Sequence, residues 1–189
     1  LINAGKEANN HYLKQNEIND LLIKLSKEYE FVLRLKGGDP YVFGRGGEEV
    51  EALKKENIKY EVISGITSPI AALASAGIPI SHRNHASSFH IITGQESKNE
   101  TNKLDYSILA KLDGSLVFMM SLNNAKTIVD KLIKFGKPKN TLLSIISRGT
   151  YKDEERYDFT LESLKEKLEK DGDFTKRIKK PALMVVGAV

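Results

Sequence analysis

The sequence predicts an α/β protein, and three observations carry that reading. Apolar, strand-like runs alternate with helically spaced segments from residue 31 to residue 186. Four of those runs leave through short loops of small or polar residues: Gly37-Gly38-Asp39, Gly65-Ile66-Thr67-Ser68, Met119-Met120-Ser121 and Arg148-Gly149-Thr150. One strand–loop–helix unit, 31–57, is followed at once by a further strand-like run at 60–64, the order of a right-handed parallel crossover.

Taken in order, Ile18, Leu21, Leu22, Leu25 and Tyr29 fall on one helical face, with Asn16 as the expected N-cap. The apolar run 31–35 predicts a strand. From 47 to 57, Val50 and Leu53 keep helical spacing and Glu51 stands four residues before Lys55. Residues 60–64 predict a strand. Ser68 then precedes Pro69, which favours the first helical position, and 70–76 is small and apolar all round, the pattern of a buried helix. Gly77 and Pro79 stop that helix, and 77–86 is expected to join two halves, residues 1–80 and 81–189. Beyond the join, strands are expected at 88–93, 115–120, 141–147 and 182–186. Helices are expected at 105–112, 123–135 and 160–170.

At 189 residues and 40% hydrophobic composition, the chain has enough apolar material for a core. It has no cysteine, which excludes disulfides, thiolate metal sites and thiol nucleophiles. No apolar run is long enough to span a bilayer, and no signal peptide opens the chain, so the cytoplasm is the expected location. A net charge of +4 suits an anionic partner. Nucleic acid is one option on charge alone, but with 7% aromatic residues and no nucleic-acid motif it is not the expected partner; a small polyanionic molecule fits the charge equally well. The first residue is Leu1 and the last run, 183–189, is apolar; both ends read as cut from something longer.

The chemistry is expected at the strand exits. There is no HExxH, GxSxG or GxxxxGK[ST] pattern, and Gly44-Arg-Gly-Gly47 lacks the spacing of a dinucleotide fingerprint. Loops at the carboxyl ends of parallel strands converge on one sheet edge, where ligands bind. Glycines there admit a ligand close to the backbone, and Asp39 offers an acceptor for hydroxyl or ammonium groups. Met120 offers a polarisable thioether. The pattern suggests a compact cofactor bound mainly by backbone groups. Arg83 can pair with a carboxylate or lie exposed, and Lys6, in a polar stretch, reads on its own as a surface lysine.

The stretch Arg34-Leu-Lys-Gly-Gly-Asp-Pro-Tyr-Val-Phe-Gly-Arg-Gly-Gly-Glu-Glu49 resembles the signature of the uroporphyrinogen-III C-methyltransferases. Segments 15–19, 64–68, 77–83, 116–120 and 181–187 resemble that family in the same order, so the likeness covers essentially the whole chain. It implies two α/β domains of the tetrapyrrole methylase type with the cofactor cleft between them, S-adenosylmethionine as cofactor and a homodimer. It implies two methylations of uroporphyrinogen III, giving precorrin-2 for sirohaem and cobalamin. Alternatives are another corrin-pathway methyltransferase or a non-catalytic cofactor-binding module.

By position in the resemblance, Gly37, Gly38, Asp39, Val42, Thr67, Ser68, Met120 and Gly149 match cofactor-contacting residues, and Lys6 falls on the proposed proton donor. Arg45 and Arg83 suit the substrate's carboxylates. Ser121 stands where the family usually has glycine, and 7–10 is less basic than usual. The family's first strand, its glycine–proline loop and an acidic catalytic residue would precede Leu1. The 189 residues alone are therefore expected to be inactive.

Overall fold

The computed structural model describes residues 1–4, 6, 7, 10, 11, 13–95 and 104–187; the side chains of 6, 7, 10 and 11 lie outside that description. The chain forms two compact units, residues 1–67 and 68–189. The expected join at 77–86 lies inside the second unit, where His82 and Ala86 form an antiparallel bridge.

In the first unit, strands β1 (Lys6–Glu7) and β2 (Asn10–His11) pair antiparallel. Helices α1 (Gln15–Glu28) and α2 (Gly46–Lys55) follow. α1 buries Gln15, Ile18 and Leu22. Its N-cap is Lys14, not Asn16: the Lys14 N–H donates to the Glu17 carboxylate, and the helix starts two residues earlier than expected. The expected strands at 31–35 and 60–64 have no ladder partner among the described residues. Both stretches are irregular, and Phe31, Leu33 and Leu35 are each more than two-thirds exposed. Alternating apolar residues prepare a strand, but only a neighbouring ladder makes one.

The second unit is built on a five-stranded mixed sheet in the order β3-β4-β7-β5-β6. Its strands are β3 (Phe89–Thr93), β4 (Ser115–Met119), β5 (Leu142–Ser147), β6 (Glu155–Thr160) and β7 (Ala182–Val186). Only β3 and β4 are parallel neighbours; the other pairs are antiparallel. Because β7 runs against both β4 and β5, the strands β3, β4 and β5 share one direction. Their exits therefore lie along one edge, as expected for the loops at 119–121 and 148–150, although the sheet is mixed and the loop at 37–39 follows none of its strands.

Side-chain alternation splits the sheet between two cores. Leu116, Phe118, Leu143, Ile145, Met184 and Val186 face the helices α5 (Ala125–Lys134) and α6 (Leu161–Lys170). Val117, Ile146, Leu183 and Val185 face α3 (Ser68–Ser75) through Ala72 and Leu73. α3 is not buried all round: Ile70 is 40% exposed, because the sheet covers one face only. The short helix α4 (Tyr106–Leu109) is capped by the Asp105 carboxylate, and α7 (Phe174–Arg177) sets Phe174 edge-on against Tyr157 and Phe159.

Candidate functional site

In the first unit, the two glycine-bearing loops meet. A Cβ added to Gly65 would stand 2.3 Å from the Gly38 carbonyl oxygen, so the two backbones approach as closely as glycine allows. Gly38 has φ +70, and a Cβ there would lie 3.6 Å from the Thr67 Cα. Asp39 organises this junction. Its Oδ1 accepts from the Tyr41 N–H at 2.8 Å and its Oδ2 from the Gly65 N–H at 3.3 Å. The Tyr41 N–H, then the Ser64 hydroxyl and the Gly65 and Val42 N–H groups, hold its carboxyl below the usual carboxylate range. The carboxylate is thus anionic at neutral pH. Gly37 stands open, with nothing within 4 Å of where its Cβ would be.

The loop then turns back on α2. The Gly46 N–H donates to the Pro40 carbonyl at 2.9 Å, and Cβ atoms on Gly44 or Gly46 would lie 2.7 or 2.6 Å from that same oxygen. Val42 is half-buried in this turn. Arg45, expected to be offered to a substrate, instead forks onto the Glu48 carboxylate at 2.7 and 2.6 Å. Both side chains are about half exposed, so the pair is an exchangeable surface one. Lys6 lies in β1, and its side chain is outside the described residues.

In the second unit, the exits of β3 and β4 are knit together along the sheet edge. The Gly94 N–H donates to the Met119 carbonyl at 2.6 Å, and Asn124 Nδ2 donates to the Gly94 carbonyl at 2.7 Å. Met120 follows with φ +53 and is 45% exposed. A left-handed, exposed methionine departs from the core role this residue usually has. The unusual Ser121 is fully buried; its hydroxyl donates to the Phe118 carbonyl at 3.0 Å. The residue opposite it is Gly94, whose added Cβ would lie 2.5 Å from Ser121 Cα and Cβ. A glycine across the loop makes room for the serine.

The β5 exit lies against α3. Arg148 and Thr150 take left-handed φ values of +54 and +72, and a Cβ on Gly149 would stand 2.3 Å from Ala72 Cβ and 2.9 Å from Ala72 Cα. Glu154 fixes the turn, accepting from the Thr150 N–H at 2.7 Å; the Ser75 hydroxyl first, and then that N–H, pull its carboxyl below the ordinary value. Ser68, the first residue of α3, is exposed. Arg83 is exposed in the turn that His82 and Ala86 close with two backbone hydrogen bonds of 2.9 and 2.8 Å. Ser64, Gly65, Gly94 and Glu154 went unassigned in the sequence. Only glycine content marked two of them, and nothing in the local pattern marks Glu154.

This packing gives a direct test. Gly149→Ala is expected to cost about 1–3 kcal/mol in urea denaturation through overpacking against α3. Ala72→Gly in the same chain should recover only part of that, since Ala72 Cα remains 2.9 Å away and glycine weakens the helix. A wild-type midpoint for Gly149→Ala would show that the loop does not lie on α3.

The mixed sheet, with helices on both faces and loops leaving its parallel strands along one edge, defines an α/β protein. The profile of the family Tetrapyrrole (Corrin/Porphyrin) Methylases matches residues 2–165, and the chain belongs to that family. A relative from Methanosarcina barkeri, the S-adenosyl-L-methionine-dependent uroporphyrinogen III methyltransferase, is 44% identical over all of this chain and 72% of its own length. A siroheme synthase from Baumannia cicadellinicola is 41% identical over all of this chain, which spans 39% of that longer protein. Among solved structures, the uroporphyrin-III C-methyl transferase of Thermus thermophilus, complexed with S-adenyl homocysteine, superposes with TM-score 0.74 at 32% identity. That match covers 92% of this chain and 73% of the other.

Proposed function

We propose that this chain carries out S-adenosylmethionine-dependent C-methylation of uroporphyrinogen III, two methyl transfers that give precorrin-2 for sirohaem and cobalamin. The observation that carries the reading is the 44% identity, over the full chain, with a relative bearing that activity in its name. The glycine-bearing and left-handed loops support the cofactor. Gly37 is open, Gly65 has no room for a side chain against the Gly38 carbonyl, Gly38 holds a left-handed backbone, and Met120 is exposed in a left-handed turn. Such a donor set suits a small, polar, flexible molecule held by backbone groups.

In this reading Gly37, Gly38, Asp39, Val42, Thr67, Ser68, Met120 and Gly149 bind the cofactor. When bound, S-adenosylmethionine supplies an already activated methyl group. What remains for the protein is to orient the reactants, exclude water and manage a proton. Asp39 keeps the two glycine loops together by accepting from the Tyr41 N–H of one and the Gly65 N–H of the other. Lys6 handles the proton lost or gained at the ring. Arg83, and Arg45 once released from Glu48, receive substrate carboxylates. No helix among the described residues is long and apolar enough to cross a membrane. A cytoplasmic homodimer completes the proposal, on the strength of the resemblance.

The test is turnover. The complete protein, given S-adenosylmethionine and uroporphyrinogen III, is expected to accumulate precorrin-2. A product methylated at other ring positions would assign the chain to another corrin-pathway step. No methylated product from folded protein would leave a binding module.

A further inference from the structure

Behind the Gly37–Asp39 loop sits a buried charge cluster that no assignment so far uses. Glu49, in the first turn of α2, has a side chain only 6% exposed. Both of its carboxylate oxygens accept from Lys36 Nζ at 2.9 Å. Arg34 Nε lies 3.5 Å away, and Gln15 Nε2 of α1 donates to Oε1 at 3.3 Å. Lys36 is itself 12% exposed. Along 31–36 the odd-numbered apolar side chains are exposed, while Arg34 and Lys36 turn toward Glu49.

Lys36 is the residue directly before Gly37. The far end of the same loop is tied to the start of the same helix by the Gly46 N–H to Pro40 hydrogen bond. One helix thus holds the loop at both ends, by an ion pair at its entry and a backbone bond at its exit. The loop itself contributes few constraints at Gly37, which has open space around it. A buried pair whose two oxygens both reach one ammonium fixes direction as well as distance.

We propose that Glu49, acting through Lys36, is a positioning residue that sets the backbone of Gly37 and Gly38 for cofactor binding. Lys36 is then no substrate-carboxylate ligand, in spite of its charge and its place beside the loop. The inference rests on the assignment of Gly37–Asp39 to the cofactor.

The experiment measures S-adenosylhomocysteine affinity by calorimetry in the complete protein. Lys36→Met and Glu49→Gln are each expected to weaken binding on the order of tenfold, and the double variant no further than either alone. A role confined to folding leaves the affinity of molecules that remain folded unchanged. Should either single variant fail to fold, Lys36→Met with Glu49→Leu replaces the pair by apolar volume and carries the same expectation. Asp39→Ala is the reference. If Asp39→Ala weakens binding and the Lys36 and Glu49 variants do not, the positioning role is overturned. If all three bind like wild type, the cofactor assignment falls with it. Additive losses would show that Lys36 and Glu49 act separately, and would also overturn the proposal.

Discussion

Gly65→Ala is expected to weaken S-adenosylhomocysteine binding by at least about tenfold and to destabilise the protein by roughly 1–3 kcal/mol. The new Cβ would stand 2.3 Å from the Gly38 carbonyl oxygen and 2.8 Å from its carbon. Both are backbone atoms and cannot swing aside as a side chain can. Gly38 already sits at φ +70, so the loop has little freedom to retreat. The displacement also pulls the Gly65 N–H away from Asp39 Oδ2, removing one of the donors that keeps that carboxylate in place. Gly37→Ala is the informative companion. Nothing lies within 4 Å of its added Cβ and its φ is ordinary, so the protein's stability should not change. Any affinity it loses must come from the ligand's close approach to the backbone. Calorimetry paired with urea denaturation separates the two effects. Wild-type affinity in Gly65→Ala would mean that the junction of the two loops is not part of the cofactor site.

The sequence made the second unit legible and the first unit much less so. In β4, β5 and β7 nearly every residue is buried, and continuous apolar runs such as Leu183 to Val186 show that without knowledge of a partner. The run 31–35 looks the same on paper. Its side chains alternate as a strand's would, yet no ladder pairs with it among the described residues. Composition encodes a preference for pleated, half-covered surroundings, while the partner comes from elsewhere in the chain. β6 was missed for the opposite reason. Glu155-Arg156-Tyr157-Asp158-Phe159-Thr160 hides an alternation of aromatic and charged residues under its charge. Its charges suit an edge strand, which is where it lies.

The candidate site was legible as loops but not as an arrangement. Glycine content marked 37–39 and 65–68, because few other roles call for glycine directly after an apolar run. The left-handed backbones of Met120, Arg148 and Thr150 were not visible, since those residue types rarely adopt them. Arg45 read as an available cation, and its pairing with Glu48 three residues on emerged only from the geometry at the start of α2. Glu49 stood inside the recognised signature, but its contact with Lys36 spans the loop and leaves no periodic trace.

Lys6→Met is expected to cut precorrin-2 formation in the complete protein by about 10²–10⁴-fold, the range for a positioned proton-transfer group, with S-adenosylhomocysteine affinity within about twofold of wild type. The lysine lies in β1, paired in register with His11 of β2 and well before the Gly37–Asp39 loop in the chain. Transfer of a methyl to an electron-rich ring carbon leaves a positive charge on the ring, which is discharged by loss of a proton. A lysine ammonium has an ordinary pKa of about 10.4, so it serves readily as a donor and serves as an acceptor only where its surroundings lower that value. Lys6→Arg distinguishes charge from proton handling. Guanidinium keeps the positive charge but neither gives up a proton nor accepts the one the ring sheds, so turnover should stay low if proton transfer is what matters. Recovery in Lys6→Arg would make Lys6 an electrostatic anchor for substrate carboxylates. Full activity in Lys6→Met would return it to the status of a solvated surface lysine, and the proton would have to be managed by another group.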